Sequence, residues 1–291
     1  MKSRIQIRKF ASRKVSLLAI CGLFALVGGI GILAGAAENV AFADPRAGAP
    51  PLPDARTPVL VELFTSEGCS SCPPADALLM QLDARQPIPG ADVIVLEHHV
   101  TYWDDQGWHD PFSLNAATDR QRKYAFERHW KGDQVYTPQM IVDGETQFNG
   151  GNGALAQQAI EQAAKAPKTP IQLAWAGAAA DNPRDLHVQF AALSGLARGE
   201  KPEVFLALTE NELHSSVRRG ENAGRSLVHS GVVRELVSIG RVNLQDGAAQ
   251  AFDGQAHVKL AHDWNPQNLR AVIFIQDPHT DRVFGAAEIA Y

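Results

Sequence analysis

The distribution of apolar and polar positions divides the chain into a half where strands and helices alternate and a half rich in strands. Val59–Phe64 is a continuous apolar run of the kind made by a buried strand. From Pro73, Ala77, Leu78 and Leu82 fall at helical spacing, and the pattern stops at Pro87-Ile88-Pro89-Gly90. Asp92–Val100 is a second buried strand, parallel to the first if the helix crosses between them. Thr101–Pro111, with Tyr102, Trp103, Asp104, Asp105, Trp108, His109 and Asp110, is too irregular for an element and reads as a surface loop. Ser113–Lys131 predicts a helix with Ser113 as its N-cap. Tyr136–Phe148 predicts a hairpin turning at Asp143-Gly144, and Ala154–Ala166 an Ala-rich closing helix.

Pro167 and Pro170 bracket a linker, after which strand patterns dominate. Ile171–Trp175, Leu186–Ala192, Glu203–Glu210, part of Val228–Ile239, Ala256–Leu260 and Leu269–Gln276, punctuated by Gly, Asn and Pro, predict a sandwich of about seven strands. No internal repeat is visible.

Ahead of both halves stands a leader. Lys2, Arg4, Arg8, Lys9, Arg13 and Lys14 precede an apolar stretch from Val15 to Ala37, and Ala41-Phe42-Ala43 offers small residues for cleavage. The stretch is also long enough to span a bilayer, so an uncleaved anchor is the competing expectation, and the only route to a membrane. The organisation expected is a signal peptide over 1–43, a Pro-rich flexible lead-in over 44–57, and domains over 58–167 and 168–291, in a periplasmic or secreted protein. Removing six basic residues and Glu38 from 27 basic and 32 acidic ones leaves 21 against 31, a formal charge of −10 that argues against nucleic acid as a partner.

Of three cysteines, Cys21 leaves with the leader, and Cys69 and Cys72 remain. Bridging them closes a ring of four residues and stabilises by only about 2 kcal/mol, so chemistry explains the pair better than stapling does. Three readings stay open: a redox dithiol delivered by a strand to the start of a helix, half of a metal site completed by His98, His99 or His109, or an inert disulfide. Thiolates would select Cu(I) or Zn. Strand alternation aims His98 and His99 at opposite faces, one ring packed and the other exposed. No Ser-His-Asp, phosphate-loop or His-Glu-x-x-His signature is present.

The order strand, Cys-x-x-Cys, helix, strand, helix, Thr-Pro, hairpin, helix resembles thioredoxin over about residues 58–166. The expected fold class is therefore an α/β thioredoxin-like domain followed by an all-β sandwich-like domain. More closely, Glu62–Asp76 with its Gly68-Cys69-Ser70-Ser71-Cys72-Pro73-Pro74 core, Tyr102-Trp103-Asp104, Tyr136-Thr137-Pro138-Gln139 and Arg219–Arg225 resemble a family of secreted bacterial proteins of unknown function with a thioredoxin-like fold. The resemblance implies a cis Pro138, preceded by Thr137, facing the dithiol, and places Glu62 near the buried acid of thioredoxins. It departs from them where Gly68 replaces a tryptophan and Ser70-Ser71 replaces Gly-Pro, and in Glu62 lying one residue farther from the dithiol.

On that reading the chain is a thiol–disulfide oxidoreductase needing no cofactor beyond the Cys69–Cys72 disulfide, its partners protein thiols or disulfides. Cys69 attacks, Cys72 resolves, Ser70 and Ser71 favour the thiolate, and Glu62 takes the proton of Cys72, unless it is an edge carboxylate. Ser70, Ser71, Thr137 and Trp103 line the substrate side, although Trp103 would equally serve in an aromatic cluster covering the sheet. Pro73 disfavours helical geometry at Cys72, making Cys72 the N-cap. Arg218–Arg225 reads as a solvated turn or as a site for an anionic partner. The alternative function is a non-catalytic binding module whose dithiol, with a histidine, holds a soft metal or acts as a redox latch.

Overall fold

The computed structural model describes residues 5–8, 56–129 and 135–291. Apart from Ile5–Arg8, the leader lies outside the described residues, as does the lead-in up to residue 55. In chain order the strands are β1 (Ile5–Arg8), β2 (Thr57–Thr65), β3 (Ala91–His99), β4 (Gln139–Val142), β5 (Thr146–Asn149), β6 (Gln172–Ala176), β7 (Arg184–Phe190) and β8 (Glu203–Glu210). They continue with β9 (Leu213–Ser216), β10 (Ser226–His229), β11 (Val232–Arg241), β12 (Leu244–Gln245), β13 (Ala248–Ala249), β14 (Phe252–Val258), β15 (Leu269–Gln276) and β16 (Val283–Ala290). The helices are α1 (Pro73–Arg85), α2 (Asn115–Glu127) and α3 (Gly153–Ala163).

β2 and β3 run parallel in unbroken register from Thr57 opposite Ala91 to Thr65 opposite His99, with α1 as the crossover. β4 joins the other side of β2 antiparallel, and β5 pairs with β4 across the turn at Asp143-Gly144. Both turn residues have positive φ, and a side chain at Gly144 would collide with the backbone of Asp281. Val59, Val61 and Leu63 of β2, with Val93 and Val95 of β3, point to one face and pack on Ala75, Leu79 and Leu82 of α1 and Ala156 and Ile160 of α3. The alternate residues point to the other face, where Phe64 meets Tyr124 of α2.

The expected boundary at 167/168 is not a boundary between sheets. β11 lies beside β3, with Val232 opposite Glu97 and the Glu97 N–H donating to Gly231 O at 2.8 Å. One eight-stranded sheet therefore runs β16-β15-β8-β11-β3-β2-β4-β5 through both halves of the chain. Leu60, Ile94 and Leu96 share a core with Ala207, Val233, Val272 and Phe274 from beyond the linker. Gly231 permits the join: its φ is +72°, and a Cβ there would stand 2.7 Å from Val95 Cγ2. The expected separate sandwich is correspondingly altered. A four-stranded sheet, β1-β14-β7-β6, packs over the β8 and β15 end of the long sheet, burying Leu186, Val188 and Phe190 against Leu206, Leu208 and Ile273. Strand alternation is visible in a single sequence, but which edge a strand joins depends on contacts far away along the chain.

Two helix expectations shift. α2 begins at Asn115 with Leu114 as N-cap, because the Ser113 hydroxyl donates to Asp104 Oδ2 at 2.7 Å and is not free to cap. α3 begins at Gly153, capped by Asn152, whose side chain accepts from Leu155 N–H. Cys72 is the N-cap of α1 with prolines in the first turn, yet its own backbone is helical (φ −78°, ψ −40°).

Candidate functional site

The loop after β2 delivers Cys69 and Cys72 to the N-terminus of α1, where they form a disulfide with Cα atoms 5.4 Å apart. Both are buried, at 1% and 0% exposure. The Ser71 hydroxyl lies 3.4 Å from Cys69 Sγ, and Ser70 and Ser71 are exposed. Trp103 stacks its Cβ and carbonyl against Gly68, so a larger residue at 68 would crowd it, and its indole N–H donates to Thr137 Oγ1 at 2.7 Å. The Thr137–Pro138 peptide is cis. Pro138 and Ala75 of α1 both flank Gly150, so Pro138 lies beside the first turn of α1. The structure thus gathers Cys69, Ser70, Ser71, Cys72, Trp103, Thr137 and Pro138 into one region.

Glu62 does not join them. It points to the α2 face, away from α1, where its carboxylate accepts from Arg120 (Nε at 2.5 Å, Nη2 at 2.9 Å), from the Tyr124 hydroxyl and from His98 Nε2 at 2.9 Å. Gln276 closes this cluster through Arg120 and Tyr124. Burial alone would raise the pKa of Glu62, but the Arg120 guanidinium overrides it and holds the carboxyl well below the usual range. A carboxylate so firmly ionised and paired is a poor acceptor for a thiol proton.

The acid on the dithiol side is Asp76, one helical turn beyond Cys72 and buried. Its backbone N–H donates to Cys72 O at 3.1 Å, and its carboxylate accepts from Thr65 Oγ1 at 2.6 Å. Burial first, and then the Glu97 carboxylate, push its pKa up to about 7. Asp76 was missed because Asp in a first helical turn usually reads as a dipole partner; its i+4 spacing from Cys72 was the available signal.

His98 and His99 do face opposite sides, but both are buried, so the expected exposed ring is absent. On the α1 face, the ends of β3 and β10 bring Glu97, His99 and His229 together, with one potential ligand atom from each lying within 4.8 Å of the others. His99 Nδ1 is 2.7 Å from Asp110 Oδ2, and His229 Nδ1 is 2.8 Å from Glu97 Oε1. Burial would lower both imidazoles, yet Asp110 raises His99 and Glu97 raises His229, the latter to about 9. Against burial, which would raise them, His229 holds Glu97 down to about 2 and His99 holds Asp110 at about 2. The cysteine sulfurs, bonded to each other, are not part of this group, and His109 is exposed and pairs with Asp104 at 3.0 Å. With the two sulfurs bonded to each other, Cys69 and Cys72 do not group with His98, His99 or His109 in this oxidised form.

The 217–225 turn from the second half lies over the dithiol loop. Asn222 Nδ2 donates to Glu67 O at 2.8 Å and to Cys69 O at 2.9 Å, and Glu221 Oε2 accepts the Ser70 N–H at 2.9 Å. The solvated turn expected at Arg218–Arg225 is exposed except for the buried Asn222, and the side chains that reach the dithiol loop are those of Glu221 and Asn222.

The fold and site define a mixed α/β protein with a buried Cys-x-x-Cys disulfide strapped by a distant turn. A family model for proteins of unknown function (DUF1223) matches residues 60–276, and the chain belongs to that family. The crystal structure of a protein from Agrobacterium tumefaciens is similar at TM-score 0.59 and 24% identity, covering 80% of this chain and 94% of that one. HBP35 of Porphyromonas gingivalis is similar at TM-score 0.59 and 12% identity, covering 81% and 75%. No curated protein matches the chain. Among the described residues no helix is long and apolar enough to cross a membrane.

Proposed function

We propose that the chain is an extracytoplasmic thiol–disulfide oxidoreductase whose thioredoxin-like first half carries the reacting bond between Cys69 and Cys72. The observation that supports this best is a disulfide at the N-terminus of α1, bordered by Trp103, Thr137 and Pro138, with the buried acid Asp76 one turn away. A substrate thiolate attacks Cys69 Sγ, forming a mixed disulfide and expelling Cys72 as thiolate. Asp76, with a pKa near 7, is matched to supply the proton that Cys72 takes up. A second substrate thiolate then attacks the substrate sulfur of the mixed disulfide and releases Cys69, so the substrate dithiol is oxidised and the protein dithiol reduced; the reverse sequence reduces a disulfide. The helix N-terminus and the Ser71 hydroxyl, 3.4 Å from Cys69 Sγ, favour the Cys69 thiolate.

The burial of both cysteines beneath Asn222 favours a second reading, a redox latch: reduction of the disulfide would alter the loop that Asn222 and Glu221 grip. Catalysed reduction of insulin by dithiothreitol separates the two. Oxidoreductase activity predicts acceleration that Cys69→Ser abolishes, and a latch predicts the rate of buffer alone.

A further inference from the structure

We propose that Glu97, His99 and His229 form a binding site for one divalent transition-metal ion of the zinc class, held without either cysteine. The ligand atoms are Glu97 Oε1, His99 Nε2 and His229 Nδ1. His99 Nε2 is 3.5 Å and His229 Nδ1 2.8 Å from Glu97 Oε1. Ligands about 2.0–2.2 Å from a tetrahedral ion stand ~3.3 Å apart, so small side-chain adjustments close the shell. Two imidazoles and one carboxylate are a familiar donor set for zinc, leaving a fourth position for water.

Buried atoms without hydrogen-bond partners point the same way. Among the described residues, His99 Nε2, His229 Nε2 and Glu67 Oε1 are buried without a hydrogen bond, held only by the longer ion pairs of His99 Nε2 with Glu97 Oε1 at 3.5 Å and of His229 Nε2 with Glu67 Oε1 at 3.4 Å. An ion that accepts the lone pair of His99 Nε2 satisfies the first of these directly. It also explains the carboxylates standing behind both rings. Asp110 meets the far nitrogen of His99 at 2.7 Å, and Glu67 Oε1 lies 3.4 Å from the far nitrogen of His229. A carboxylate on the distal nitrogen is how metal-ligating histidines are oriented and made more basic. Glu97 keeps its other oxygen for the Ser230 N–H at 3.1 Å. Binding displaces the imidazole protons, so affinity weakens as pH falls.

The ion would pin β3 to the end of β10 where the two halves of the chain meet. It would also lie behind the dithiol loop, since Asp110 accepts the Glu67 N–H at 2.8 Å and Glu67 precedes Cys69 by two residues. This goes beyond the dithiol reading and is tested without thiols.

The experiment uses the full chain carrying Cys69→Ser and Cys72→Ser, stripped of metal and titrated with Zn²⁺ and, separately, Co²⁺. One equivalent of zinc per chain, a rise in Tm with zinc, and a tetrahedral Co²⁺ visible spectrum lacking sulfur charge-transfer are expected. His229→Gln should abolish binding, and Asp110→Asn should weaken it about 10- to 100-fold. Absence of bound zinc, an octahedral Co²⁺ spectrum, or undiminished binding in folded His229→Gln would overturn the proposal; if that variant does not fold, the Co²⁺ spectrum of the parent decides.

Discussion

The two faces of the β2–β3 pair carry buried polar clusters of similar size and opposite character. On the α2 face, Glu62 meets Arg120, His98 and Tyr124 in a set whose hydrogen bonds saturate the carboxylate, while Phe64 stacks on His98 with ring centroids 4.9 Å apart. On the α1 face, Glu97, His99, His229, Asp110 and Glu67 leave three buried nitrogen and oxygen atoms without hydrogen bonds, and burial and Glu97 push the pKa of neighbouring Asp76 up to about 7. The saturated cluster lies away from the disulfide; the unsaturated one is tied to its loop through Asp110 and Asn222. Adjacent residues of one strand supply both, His98 to one and His99 to the other. Buried polar groups that are completely paired specify packing, whereas incompletely paired ones mark places where a proton, ion or partner is handled.

The largest expected effect comes from breaking the saturated cluster. Arg120→Ala leaves Glu62 buried without its cation and should cost about 3–5 kcal/mol of stability by denaturant unfolding. The pH dependence follows from the sign of the Glu62 shift. A carboxyl held below its ordinary value of 4.5 contributes stability that is present above that value and lost as pH falls through the lower folded-state pKa. The stability gap between the parent and Glu62→Gln should therefore be full at pH 7 and narrow progressively under strongly acid conditions, as urea titrations at several pH values would register.

Next is the strap. Asn222→Ala removes two hydrogen bonds to the carbonyls of Glu67 and Cys69, each worth about 1 kcal/mol, so reduction of the disulfide by dithiothreitol should accelerate roughly 30-fold. Unchanged kinetics would mean the turn does not cover the sulfurs. Glu221→Gln, at an exposed position, should accelerate reduction less than Asn222→Ala does in the same assay. The disulfide as a staple has an effect of the same order as the Asn222 strap: opening its four-residue ring should lower stability by about 2 kcal/mol, read as the difference between oxidised and reduced protein in urea.

Much of the first half was legible because its chemistry is local. A strand, two cysteines and two prolines lie within Val59–Pro74, and the Asp-Gly turn needs only residues 143 and 144. The join of β11 to β3 was not legible, because it depends on Gly231 approaching Val95 across more than a hundred residues. The same holds for the site. Cys69 and Cys72 announce themselves, but Glu62 is placed at the dithiol only by the resemblance to thioredoxins, and period-two alternation turns it to the other face. Asp76 and the pair Glu97 and His99 carried usable spacing signals, i+4 and i+2. His229 and Asn222 carried none, since only the tertiary fold brings them to β3 and to the dithiol loop.

The central claim is that Cys69–Cys72 is an exchangeable disulfide and not a buried staple. The most direct measurement is its reduction potential, by equilibrating the metal-free protein with glutathione and counting thiols. The account predicts a value between roughly −120 and −270 mV, the range of catalytic dithiols. A potential below about −300 mV, as structural disulfides have, would contradict it.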